Sequence, residues 1–396
     1  MSSRKFAVGM LLVGLAVGAI PTFAQESAQE PAQGAEAGPL VPVAVAGDLL
    51  GRAGAAFDAG DYEQAVQDYS LFILLNPTFS QGYYLRGRAY SQMNDLDHAL
   101  DDLNTALAYP QPSEQFTGLL YNDRALIYLL QDDVEAALKD LAASIAAIPD
   151  LPDAYSRRAR VYLANQQYEE ALQDYDKWIE LDPLSVQAYG GRALAHMSLE
   201  DNEAAMADYD KLLELEPENV GAYMNRAILH LAGSDLEAAL TDMNAAIELL
   251  PNDPSLYLQR ALVHQALENP TAAAEDYLAW MRRQETRRVA GDRLLAGESQ
   301  VLALSAGVTY NLPFAATAGQ QVTLSASARA DAETDPLLVL LDTAGKAVAG
   351  DDDSGGNYDA AITDYLIPAD GVYTLVVSYA GGGADGPVRV LLAVGE

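Results

Sequence analysis

One alanine recurs through the middle of this chain, at Ala65, Ala99, Ala137, Ala171, Ala205, Ala239 and Ala273, every 34 residues except for one interval of 38. A period of that length is a single supersecondary unit. Such a unit is too small to bury its own apolar face, so copies of it must stack on one another to make a continuous core. Most of the alanines follow an acid by two residues and precede a proline by twelve, at Pro77, Pro149, Pro183, Pro217 and Pro251. Proline cannot continue the helical hydrogen-bond ladder, so it closes these five units. The longer interval coincides with Pro110, Pro112 and Ser113, which predicts a lengthened loop there.

Counting each unit from Ala46, Ser80, Gly118, Pro152, Val186, Val220 and Pro254, large side chains recur at position 4 (Tyr83, Tyr121, Tyr155, Tyr189, Tyr223, Tyr257) and at position 11 (Tyr90, Tyr128, Tyr162). A spacing of seven places them on one face of a helix. Alanine or glycine at positions 8 and 20 allows two helices to approach closely, so each unit reads as a helix–turn–helix. With its register-matched prolines, the pattern resembles the tetratricopeptide repeat family. Seven copies span residues 47–291, and the resemblance implies an all-α superhelical solenoid.

Position 7 is arginine and position 23 is aspartate in all seven units. Pairs such as Arg192 with Asp208 and Arg226 with Asp242 are expected to link the two helices of a hairpin, or adjacent units, as partly shielded ion pairs. The alternative is a solvated face inherited by duplication. Histidine replaces tyrosine at position 11 in the last three units, as His196, His230 and His264. A repeat apart, these cannot share a metal whose ligands stand about 2 Å away, and packed core imidazoles are expected.

The same resemblance implies that first-helix positions 2, 5, 9, 12 and 13 line an inner groove that holds peptide segments. At the matching positions stand Tyr84, Arg88, Leu126, Leu129, Arg160, Leu163, Leu194, Met197, Ile228, Leu231 and Leu262. An apolar strip there marks a binding surface, unless curvature or the N-terminal tether fills it from within. Of 18 basic side chains in residues 47–293, seven are the repeated arginine and five cluster between Arg282 and Arg293, where the last helix runs out. Arg88 and Arg160 are among the few left over, so a segment with apolar anchors and an acidic group near units 2–4 is the expected ligand. The lysine and asparagine clamp with which some relatives grip a chaperone's C-terminus has no counterpart.

Arg4 and Lys5 precede an apolar run from Phe6 to Ile20 that ends at small residues, the form of a secretory signal removed after Ala24. That run is shorter than the roughly 20 residues that span a bilayer, so no membrane span is expected after processing. Residues 25–46 read as a disordered acidic linker. The chain has 396 residues, no cysteine, and 57 acids against 23 bases for a net charge of −34. Such a charge repels phosphate backbones and argues against nucleic acid as a partner. Disulfides, thiolate nucleophiles and zinc knuckles are excluded.

After about Ala296 the helical period stops. Alternating runs at Val301–Leu304, Val308–Phe314, Gln321–Arg329, Leu337–Leu341, Ala361–Ile367, Val372–Tyr379 and Val388–Val394, separated by turn signals, predict an all-β sandwich over residues 292–396. The strings Asp335-Pro336-Leu337-Leu338, Asp351-Asp352-Asp353 and Leu366-Ile367-Pro368-Ala369-Asp370-Gly371 resemble the bacterial pre-peptidase C-terminal domain. That resemblance implies a jelly-roll-like sandwich, carried by exported proteins and used for attachment to substrate or surface. Asp335, Asp351, Asp352 and Asp353 offer oxygen ligands of the kind calcium takes; the alternative is an acidic turn solvating a hairpin. No other cofactor is expected. With no nucleophile triad, metal-ligand or phosphate-loop pattern, the chain reads as an exported, non-enzymatic scaffold, periplasmic or at the cell surface. It binds a protein or peptide segment in the groove and attaches through the sandwich to a surface, polymer or partner. The competing reading makes the sandwich a carbohydrate or matrix binder and the repeats a spacer.

Overall fold

The computed structural model describes residues 43–284, 287–328, 334–352, 359–379 and 386–395. The signal segment 1–24, most of the linker 25–46, Arg329 and Asp353 lie outside the described residues. Seven helical hairpins follow one another as a solenoid. Their first helices are α1 (Val43–Asp58), α3 (Ser80–Gln92), α5 (Glu114–Leu130), α7 (Pro152–Ala164), α9 (Val186–Ser198), α11 (Val220–Ala232) and α13 (Pro254–Ala266). The second helices are α2 (Tyr62–Leu75), α4 (Leu96–Ala108), α6 (Val134–Ala147), α8 (Tyr168–Leu181), α10 (Asn202–Leu215), α12 (Leu236–Leu249) and α14 (Pro270–Gln284). Helix α1 therefore begins inside the segment read as linker. No helix among the described residues is long and apolar enough to cross a membrane.

Each hairpin turns on one residue with positive φ: Gly60, Asn94, Asp132, Gln166, Glu200, Ser234 and Glu268. The residue after it caps the second helix. Asp61, Asp95, Asp133, Asp201, Asp235 and Asn269 each accept a hydrogen bond from the backbone N–H three residues on, which satisfies a donor the helix leaves open. Gln167 makes no such bond. Restoring the shared residue with Gln167→Asp is expected to raise stability by about 1 kcal/mol, measured by urea denaturation; an unchanged midpoint would show that this cap is not limiting.

The 38-residue interval is resolved differently from the sequence expectation. Helix α5 has 17 residues against 13 in α3, α7 and α9, and Ser113 caps it through the N–H of Phe116. The insertion adds mainly a turn of helix, because a serine cap after two prolines starts the helix early. The alanines at positions 8 and 20 are fully buried between paired helices. Neighbouring first helices, α3 with α5, α5 with α7 and α7 with α9, touch directly, and no two second helices do so to the same extent. The first helices thus line the inner side of the curve.

The β domain has one five-stranded sheet, in the order β1 (Arg287–Ala290), β3 (Val308–Ala316), β8 (Gly371–Tyr379), β5 (Pro336–Leu341), β6 (Ala347–Asp351). A four-stranded sheet, β2 (Ser299–Leu304), β9 (Gly386–Val394), β4 (Gln321–Ala328), β7 (Ala360–Leu366), faces it. All pairings are antiparallel except β1 with β3. Leu304, Leu312, Phe314, Leu324, Leu375 and Val390 fill the space between the sheets. Strands β1 and β6 were not legible in the alternation. Strand β1 falls within the stretch read as solenoid, so the helices end at Gln284 and Arg287 opens the sandwich.

The two parts share a core. On the outer face of the five-stranded sheet Leu337, Val339, Ala347 and Val376 join Ala274, Tyr277, Trp280 and Met281 of α14 in one buried cluster. Strand β6 comes so near the helix that a Cβ at Gly350 would lie 3.1 Å from the Ala274 Cα, a close approach that glycine permits. Lys346 reaches Glu275 at 3.6 Å across the seam.

Candidate functional site

The repeated arginine and aspartate meet in every unit. Asp68, Asp102, Asp140, Asp174, Asp208, Asp242 and Asp276 are buried, and each carboxylate accepts from the arginine of its own hairpin at 2.6–2.9 Å. From unit 2 onward the contact is bidentate through Nε and Nη2. The remaining Nη1 reaches back to the preceding unit in five cases, to Ser70, Asn104, Asp176, Asp210 and Asn244. The position-4 tyrosine lies beneath the guanidinium at 5.6–5.8 Å in units 2, 3, 5, 6 and 7. One side chain therefore closes its own hairpin and latches it to the one before.

Two of the three histidines sit beside these clamps, and all three are half-buried, not core. His230 Nε2 lies 3.8 Å from Asp242 and His264 Nε2 lies 3.7 Å from Asp276, while His196 Nδ1 lies 3.5 Å from Asp201. Burial, helped by Arg260 and opposed by Asp276 and Glu275, holds the His264 pKa below its ordinary value. The unfolded chain then binds more protons than the folded one as the pH falls below about 6.5, so this contribution is intact above that pH and is lost on acidification. His264→Tyr, which restores the residue of units 2–4, is expected to flatten the decline in melting temperature between pH 7 and pH 5; parallel curves for the two proteins would refute it.

The inner face divides into two sectors. In units 5–7 position 9 carries Leu194, Ile228 and Leu262, with 39, 45 and 45% of their surface exposed, although large apolar side chains are ordinarily covered. Met197 and Leu231 are half-buried at position 12 of units 5 and 6, as are Leu126, Leu129 and Leu163 in units 3 and 4. Helices α9, α11 and α13 contain no acidic residue, whereas α8, α10 and α12 carry several each. In these three units the acids borne by helices thus lie on the second helices.

Toward the N-terminal end the face is polar, and here the sequence expectation for Arg88 needs correction. Its Nε lies 3.7 Å from Asp123 of the next unit, and its guanidinium packs over the rings of Phe57 and Tyr84. Tyr84, also assigned to the groove, is buried and donates its hydroxyl to the same carboxylate at 2.9 Å. Burial pushes the Asp123 carboxyl up, against the pull of Arg88 and Arg157. Arg88 is consequently committed inside the protein. Arg160 is exposed on position 9 and makes no ion pair among the described residues, where Arg157, one turn earlier on α7, has a buried Nε without a hydrogen-bond partner. Sequence reasoning missed Arg157 because position 6 is not among the inner positions the resemblance implies. It became visible only through Asp123, which occupies the same position one unit earlier.

In the β domain Asp351 is buried at the end of β6 and accepts the Ala361 N–H at 2.7 Å, tying β6 to the start of β7. Asp335 and Asp352 are half-buried. Among the described residues no three or more acids or histidines gather in a way that holds a metal ion. Arg283 stacks on Tyr257 at 3.8 Å and donates to the Tyr257 hydroxyl and the Pro251 carbonyl, closing the last unit where no eighth follows.

The helical part carries tetratricopeptide repeats. One tetratricopeptide model matches residues 122–186, 156–215 and 191–254, and a second matches 80–111. Among solved structures, the C-terminal part of a TPR repeat-containing protein from Cytophaga hutchinsonii is 15% identical with a TM-score of 0.52, over 58% of this chain and 93% of that one. A tetratricopeptide repeat protein from Parabacteroides merdae is 22% identical with a TM-score of 0.45, over 61% of this chain and 94% of that one. No curated protein matches the sequence. These likenesses concern the helical fold.

Proposed function

We propose that the protein is an exported, non-enzymatic scaffold whose inner helical face holds a segment of another polypeptide. The observation that carries the reading is the row of exposed apolar side chains at one position of three consecutive units, Leu194, Ile228 and Leu262, on a face without acids in a chain of net charge −34. Rigid stacked helices present such a row without an ordering cost on their own side. Export rests on the pattern of residues 1–24. Calcium at Asp335, Asp351, Asp352 and Asp353 is a secondary part of the proposal, and so is the relation of the sandwich to the pre-peptidase C-terminal domain.

The attachment role falls to the four-stranded sheet, because α14 covers the outer face of the other. Side chains alternate along a strand, so Val301, Thr323, Ser325, Arg389 and Leu391 look outward while Leu302, Val322, Leu324, Val388 and Val390 fill the core. A photoreactive residue placed at Ile228 in the source cell should cross-link to a partner, and one at Glu203 on an outer helix should not. Equal capture from both positions would remove the inner face as the binding surface.

A further inference from the structure

Helix α14 packs along β5 and β6, at one side of the five-stranded sheet, so β3 and β1 at the other side are less covered. A cavity of about 40 Å3 remains there beneath the last turns of the helix. Leu278, Met281 and Arg282 line it from α14, at the spacing of three and four residues that puts them on one helical face. The sheet contributes Arg288, Thr309, Asn311 and Val376. Arg288 pairs with Thr309 and Asn311 with Val376 in register, and alternate residues of a strand share a face, so all four stand on the side that the helix covers. Half of the lining is apolar, and the other half holds two guanidinium groups and no acid.

Two of these polar groups are unspent. Arg283 donates to the carbonyls of Ala279 and Pro251 and to the Tyr257 hydroxyl, and so answers the negative end of the α14 dipole. Its neighbour Arg282 makes no hydrogen bond or ion pair among the described residues, and neither does the side-chain amide of Asn311. Both groups are donors. Coulomb repulsion between two like charges is relieved by an anion placed between them.

We infer that this cavity is a binding site for a small carboxylate carrying a short apolar group. A carboxylate accepts from a guanidinium fork through both oxygens, which a spherical halide cannot do. The cavity has room for about three water-sized groups, which admits the carboxylate and one or two carbons. Met281, Leu341 and Val376 take the carbons. Bound there, the ligand joins α14 to β1 and β3 through Arg282, Arg288 and Asn311, and fastens the last hairpin to the sandwich.

Thermal melting of the purified full-length protein tests this, with sodium chloride replaced stepwise by sodium propionate at constant ionic strength. The melting temperature should rise with propionate, because a ligand held only by the folded protein stabilises it. Propionamide, which keeps the shape and lacks the charge, should give no rise, and inorganic phosphate a smaller one. In Arg282→Ala, which removes an exposed side chain, the melting temperature in chloride should stay unchanged, while propionate binds at least about tenfold more weakly. Asn311→Ala should weaken binding less, and Arg389→Ala, on the outer face of the other sheet, should leave it intact. A tripeptide ending in alanine, tried with a free and an amidated C-terminus, separates two sources that both keep the site: a rise with the free form alone assigns the carboxylate to a chain end, and no rise assigns it to a free acid. No rise with propionate, an equal rise with propionamide, a larger rise with phosphate, or a rise that survives in both Arg282→Ala and Asn311→Ala overturns the proposal.

Discussion

Asp208→Ala is expected to destabilise the protein by about 3 kcal/mol, because it strands the Arg192 guanidinium beside a buried site with only Asp176 left to face. Arg192 donates two hydrogen bonds to Asp208 and a third, at 2.6 Å, to Asp176 of the preceding unit. Loss of the carboxylate therefore loosens both the hairpin and its contact with unit 4. Asp208→Asn keeps the shape and part of the hydrogen bonding and should cost less. In a double-mutant cycle with Arg192→Met, the paired change should cost well under the sum of the single changes, since apolar groups of similar volume replace a buried pair at little net cost. Denaturation curves that give additive effects would show the clamp to be a bystander on a solvated face.

Val339→Asp, at the centre of the shared core, should destabilise the β domain and the last two hairpins together, by about 3 kcal/mol or more, since the carboxylate would be buried against Trp280, Met281 and Leu337 with no partner. The distinctive outcome is coupling. Near-ultraviolet signals from Trp280 on α14 and from Tyr373 in the sandwich should report a single transition, as the interface is continuous with both interiors. Two separate transitions, with that of the solenoid unmoved, would make the sandwich an independent module. Gly350→Val, which presses on the Ala274 Cα, offers the same readout without a charge.

Much of the helical part was legible because duplication repeats its physics seven times. The alanines that let helices touch, the prolines that end five of the units, and the arginine and aspartate that pair are all fixed by position, and all fall where the spacing placed them. The β domain was legible where one face is buried, as at β3, β4 and β9, whose alternation is clear in the sequence. Strand β1 carries two arginines at a sheet edge, and β6 has alanine and glycine where α14 presses on it, so neither shows an alternating signal. The shared core escaped notice for the same reason: Leu337 to Leu341 is a continuous apolar run, which an extended strand acquires when both faces are covered. On the inner face position alone pointed to a strip from Leu126 to Leu262, of which Leu194, Ile228 and Leu262 are exposed and the others half-buried. The capture of Arg88 by Asp123 did not, because it joins two units at positions that no other pair of units fills with opposite charges.

The backward reach of the clamps gives the solenoid a loose end and a fixed end. Arg52 holds Asp68 through one hydrogen bond, is half exposed, and among the described residues has no unit behind it to grip, whereas α14 is welded to a sheet. Opening fluctuations should therefore begin at unit 1 and die away toward the sandwich, so that amide hydrogen exchange slows from α1 to α13 in a graded series. Arg160, Leu194, Ile228 and Leu262 all lie toward the slow end. A segment bound on that row, as proposed above, would rest on the part of the spring that moves least.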